Sequence, residues 1–97
     1  MRTVFLLNAF SLQMLEGDAT VKFTEVTRDE VFSADLVSAI GHKDTAEVLG
    51  VEMNRINVTL RKGDVAFVAQ LQGGRLPEGS TTLPEGFSFK FVKVEVL

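Results

Sequence analysis

Apolar residues fill consecutive positions in Thr3-Val4-Phe5-Leu6-Leu7. A strand that is apolar on both parities predicts a central position in a sheet covered on both faces. Asn8-Ala9-Phe10-Ser11-Leu12-Gln13-Met14-Leu15 follows, where Asn8 or Ser11 can cap a short helix that Gly17-Asp18 closes. Val21 to Val26 alternates apolar with polar and predicts a half-exposed strand. Thr27-Arg28-Asp29-Glu30 has the spacing of a capping box. The helix it opens would carry Val31, Phe32, Leu36, Val37 and Ile40 toward the core and stop at Gly41. Asp44 to Leu49 predicts a second short helix, ended by Gly50.

The second half reads mostly as strand. Ile56 to Leu60 alternates, Arg61-Lys62-Gly63-Asp64 is a turn, and Val65 to Leu71 is apolar, which together predict a hairpin. Gln72 to Gly86 is a loop rich in Gly, Pro and Thr in which Leu-Pro-Glu-Gly occurs at 76–79 and again at 83–86. Loops this long in small domains are lids, binding loops or disordered segments. Phe87 to Val96 closes the chain as a strand with Phe87, Phe89 and Phe91 on one face. Strands and helices alternating early, then strands alone, predict an α+β fold: a central mixed sheet of about five strands flanked by short helices.

Length and composition narrow the chemistry. The 97 residues, 45% hydrophobic and 24% charged, predict one globular domain spanning 1–97. With no Cys, a disulfide scaffold, a thiolate zinc site and a cysteine nucleophile are excluded. One His excludes a multi-histidine metal site within one chain. The net charge of −3 disfavours tracking along DNA or RNA, although a local basic pocket for a phosphate-bearing ligand remains open. No apolar run has the length of a membrane span, and the signal-like start is interrupted at Asn8. A soluble, cytoplasmic protein is expected.

Few residues can carry chemistry. His42, beside Gly41 at a predicted helix end, can serve as a general acid or simply as a polar cap. Arg75, after Gly73-Gly74, can swing its planar fork onto a phosphate or stay solvated. Glu78 rides on the same loop and can favour a protonated His, or face solvent. Arg55 can reach a phosphate or pair with an acid. Ser11 can donate to a ligand or cap its helix. Asn57-Val58-Thr59 matches a glycosylation sequon but falls inside a predicted strand.

Several blocks also occur together in order: Leu7-Asn8-Ala9-Phe10-Ser11-Leu12-Gln13-Met14-Leu15, Ser38-Ala39-Ile40-Gly41-His42, Asn54-Arg55, Lys62-Gly63-Asp64 and Arg75-Leu76-Pro77-Glu78-Gly79. In this the chain resembles the viral anti-CRISPR ring nuclease family, over nearly its whole length. The resemblance implies a metal-independent enzyme that needs no cofactor. It would degrade cyclic tetra-adenylate, the alarm signal of type III CRISPR systems, to linear di-adenylates with 2′,3′-cyclic phosphate ends. By motif position, His42 would be the general acid, Glu78 would orient it, and Arg75 would act on the scissile phosphate. Asn8, Ser11, Arg55 and Arg75 would hold the ring. The resemblance further implies a two-fold homodimer with the ligand between subunits and the 72–86 loop closing as a lid. The rival readings are a module that binds a cyclic oligoadenylate without cleaving it, and a small regulatory protein using the same dimer for another partner.

Overall fold

The computed structural model describes residues 4–97, and Met1 to Thr3, including the first residue of the predicted opening strand, lie outside it. Five strands form one mixed sheet in the order β2-β5-β4-β1-β3. They are β1 (Val4–Leu7), β2 (Val21–Val26), β3 (Leu36–Ser38), β4 (Val65–Gln72) and β5 (Ser88–Val96). β1 runs parallel to both β3 and β4, whereas β5 pairs antiparallel with β4 and β2. The expected α+β architecture is therefore present, with two short α-helices, α1 (Arg28–Phe32) and α2 (Lys43–Leu49).

The parity of β1 explains its apolar run. Leu6 packs with Val31, Ile40, Leu49, Phe67 and Phe91 on the face covered by the helices. Leu7 packs on the other face with Val58, Leu60, Val68, Val94 and Val96. The strand has a buried layer on each side, so both parities must be apolar. Phe67 and Ala69 face the helical layer while Ala66 and Val68 face the opposite one, so β4 repeats the arrangement.

Three expectations are corrected. The capping box at Thr27 does form, its hydroxyl accepting from the Glu30 N–H, but the helix ends at Phe32 instead of reaching Ile40. Ser33 turns its hydroxyl back onto the Glu30 carbonyl, and Leu36 to Ser38 leave to form a parallel ladder with Val4 to Leu6. Asn8 to Leu15 contains only a single 3₁₀ turn at Leu12–Met14, capped by Ser11. Ile56 to Leu60 joins no strand of the sheet; its one bridge is Leu60 to Leu15. The predicted hairpin with Val65 to Leu71 is therefore absent. The turn between them exists, with Asp64 accepting from the Arg61 N–H, but it delivers β4 to β5 and β1.

Candidate functional site

The site begins where β3 runs out. His42 was expected at the end of a helix and instead starts one: it is the N-cap of α2, with extended φ and ψ of −110° and 118°. Its Nδ1 accepts from the Thr45 backbone N–H at 3.2 Å and lies 3.1 Å from Thr45 Oγ1. Thr45 is buried and His42 exposed. One edge of the ring is thus spent on the helix, and Nε2 is the edge left for a ligand. Gly50, in the left-handed conformation at φ 76°, closes α2 as expected.

Arg55 is brought alongside by the segment that returns from α2. Ser38 Oγ donates to the Glu52 carbonyl at 2.6 Å, Asn54 Nδ2 donates to the Ser38 carbonyl, and the Asn54 N–H donates to the Ile40 carbonyl. Arg55 Nε then donates to the Gly41 carbonyl at 2.9 Å. A side chain at Gly41 would meet Arg55 Cγ at 3.1 Å, so the glycine permits this close approach. The two terminal guanidinium nitrogens take no partner among the described residues.

Glu78 arrives on the loop that follows β4. Gly73 sets the base of that loop at φ 111°, where a Cβ would collide with the Gly86 carbonyl at 2.8 Å. Buried Leu76 anchors it, and a turn at 77–80 is closed by Ser80 donating to the Pro77 carbonyl. The Gly79 N–H donates to Asp44 Oδ2 on the first turn of α2 at 3.3 Å. The outcome is an open cleft of about 330 Å³ lined by His42, Lys43, Asp44, Arg55, Glu78 and Gly79. No hydrogen bond joins Glu78 to His42 among the described residues. Two cations and two carboxylates surround the imidazole.

A second cleft of about 350 Å³ shares no lining residue with the first, although Arg55 lines one and the next residue, Ile56, the other. It is lined by Ser11, Gln13 and Met14 from the 3₁₀ turn and by Ile56 to Thr59. The Ser11 hydroxyl also accepts from the Gln13 N–H, so its capping role is realised. Of the residues singled out in the sequence, His42, Arg55 and Glu78 share one cleft and Ser11 lines the second. Arg75 and Asn8 are exposed and line neither. Lys43, Asp44, Thr45 and Asn57 were not anticipated; only the short distance of the first three from His42 marked them. A larger opening of about 390 Å³ beside β2 and β5 contains none of the expected residues, and its Arg28 is stacked on Phe32. Among the described residues no group of His, Asp and Glu is placed to hold a metal ion, and no helix is long and apolar enough to cross a membrane.

The Asp44–Gly79 bond ties the Glu78 loop to α2, which yields a direct test. The Arg75-Leu76 bond joins an exposed residue to the buried anchor of the loop, so trypsin should cut it when the loop opens. Asp44→Ala should speed that cut about two- to tenfold, the worth of one ordinary hydrogen bond, while Asp44→Asn, which keeps an acceptor, should change it less. Equal cutting of all three proteins would show that this bond does not hold the loop.

A model of the STIV B116-like family matches residues 4–88 of the chain. No match was found among the curated proteins. Among solved structures, B116 of Sulfolobus turreted icosahedral virus (STIV) is similar at a TM-score of 0.78 and 26% sequence identity, over 97% of this chain and 99% of that one.

Proposed function

This chain belongs to the STIV B116-like family, and we propose that it is a metal-independent ring nuclease that opens cyclic tetra-adenylate and so switches off type III CRISPR signalling. The observation that carries the reading is the cleft that gathers the only His of the chain, an Arg anchored by its Nε and a loop-borne Glu. These are the groups that an RNA transesterification needs when the nucleophile comes from the substrate. A ribose 2′-hydroxyl attacks the adjacent phosphorus, its proton passing to water. The P–O5′ bond breaks, and the departing O5′ takes the proton on His42 Nε2. The product ends in a 2′,3′-cyclic phosphate. The terminal nitrogens of Arg55 face the charge that builds on the phosphoryl oxygens. A deoxy ring lacks the nucleophile and would survive.

The second cleft, with amide and hydroxyl groups beside apolar Met14, Ile56 and Val58, has the chemistry to take a base of the ring. Either cleft alone is at the small end of ligand pockets, so a four-nucleotide ring would extend past it. Two clefts related by a two-fold axis would match a ring of four identical nucleotides. Leu12, Met53 and Ile56, exposed apolar side chains on or beside the lining segments, are surface that such a homodimer would cover. A site of this kind works in the cytoplasm, where the signal is made.

The test is single-turnover incubation with radiolabelled cyclic tetra-adenylate in EDTA. Linear di-adenylate with a cyclic phosphate end is the expected product. Intact ligand that still binds, one ring per two chains by calorimetry, would replace the enzyme with a sequestering module. Intact ligand that does not bind would overturn both.

A further inference from the structure

The His42 ring has two bonds available on one side and chemistry on the other. In a neutral ring protonated on Nε2, Nδ1 is an acceptor, and the Thr45 N–H at 3.2 Å fills it. A general acid that leaves a neutral imidazole behind must first be the imidazolium, with a hydrogen on both nitrogens. The Nδ1 hydrogen then points at the Thr45 N–H, donor against donor. The Thr45 hydroxyl oxygen, 3.1 Å from Nδ1, is the acceptor within reach. Its residue is buried, in the first turn of α2, so the helix backbone fixes where the oxygen sits. Resting on the ring-nuclease reading above, we propose that Thr45 is a positioning residue: its hydroxyl accepts from Nδ1–H of the doubly protonated His42 and holds Nε2–H toward the scissile phosphate.

The proton count closes. The imidazolium gives the Nε2 proton to the departing O5′ and becomes the neutral ring protonated on Nδ1, whose hydrogen remains on Nδ1 and is donated to Thr45 Oγ1. Solvent restores the proton on Nε2. The charged groups that share the cleft with the ring are Lys43 and Asp44 on α2 itself, Arg55 on the returning segment and Glu78 on the loop. None of them is hydrogen-bonded to Nδ1 among the described residues, so the proton on that edge depends on Thr45.

Thr45→Val keeps the shape and the backbone N–H but removes the hydroxyl, and Thr45→Ser keeps the hydroxyl. With one His in the chain, a spectrum of ¹⁵N-histidine-labelled protein contains a single imidazole. In acid solution the wild type and Thr45→Ser should show a slowly exchanging Nδ1–H proton that Thr45→Val lacks. When the ring carries a single hydrogen, the wild type should hold it on Nε2, with Nδ1 accepting from the Thr45 N–H. Thr45→Val should lose about ten- to a hundredfold in single-turnover rate at saturating ring, the scale of a hydrogen bond to a charged group, with affinity unchanged and the rate restored in Thr45→Ser. A protected Nδ1–H in Thr45→Val, or full rate in that variant, overturns the proposal. If the wild type cleaves nothing but the Nδ1–H signal follows the hydroxyl, the pairing stands and the ring-nuclease reading falls.

Discussion

His42→Asn is expected to lose at least about a hundredfold in cleavage rate, the usual contribution of a general acid, while the fold and the affinity for the ring persist. The choice of asparagine follows from the position of the residue. His42 is the N-cap of α2 and satisfies the Thr45 N–H. Alanine would remove that acceptor as well as the acid, at a cost of about 1 kcal/mol in stability. Asparagine is among the best N-caps and its side-chain oxygen can take the same N–H, yet it cannot donate a proton to an alkoxide as imidazolium does. The pair therefore separates the two roles. His42→Asn and His42→Ala should be equally slow, and His42→Ala alone should melt earlier. Turnover near the wild-type rate in His42→Asn would remove His42 from the mechanism.

The same residue shows what was legible in the chain. Its chemistry could be read from composition, since it is the only His. Its place could not, because the capping box at Thr27 and the apolar residues out to Ile40 have the spacing of a longer helix. Local signals start a helix, but its continuation competes with non-local pairing. Here Leu36 to Ser38 gain a full parallel ladder against β1, some thirty residues away, and Gly41 and His42 become the entry to α2 instead. The alternation at Ile56 to Leu60 predicts a strand that does not form; Val58 and Leu60 are buried and Asn57 and Thr59 exposed, while Ile56, on the apolar parity, is exposed as well. Alternation reports which side faces the core and says nothing about a partner strand. The strands whose alternation coincides with pairing, Val21–Val26 and Ser88–Val96, lie where they were expected.

The candidate site was legible as residue types and only partly as a constellation. Arg75 drew attention through its glycine-rich surroundings, which describe how freely a side chain can move. Arg55 is placed by contacts fourteen residues apart in sequence, from its Nε to Gly41 and from Asn54 to the end of β3. No local pattern encodes such a contact. The only trace was the glycine at 41, whose missing side chain makes room for the Arg55 stem.

Arg55→Ala is accordingly expected to do more harm than Arg75→Ala, although both arginines were candidates for the phosphate. The Arg55 guanidinium is held by one bond to the Gly41 carbonyl, so much of its side-chain freedom is already lost before a ligand arrives. Its terminal nitrogens, still unpartnered among the described residues, can then present a fixed fork to phosphate oxygens. Arg75 is exposed on the loop and must be ordered by the ligand itself. Removing Arg55 should lower kcat/KM about a hundredfold, with losses in both affinity and rate, as expected for two charge-assisted bonds. Arg55→Lys should recover little, because an ammonium offers neither the fork nor the Nε bond that aims it. Arg75→Ala should act mainly on KM, by about three- to tenfold. Ring affinity by calorimetry and single-turnover rates at saturation separate these effects. If Arg75→Ala proves the more damaging of the two, the loop must bring Arg75 onto the phosphate when the ring binds, and the cleft beside His42 would be only the open half of the site.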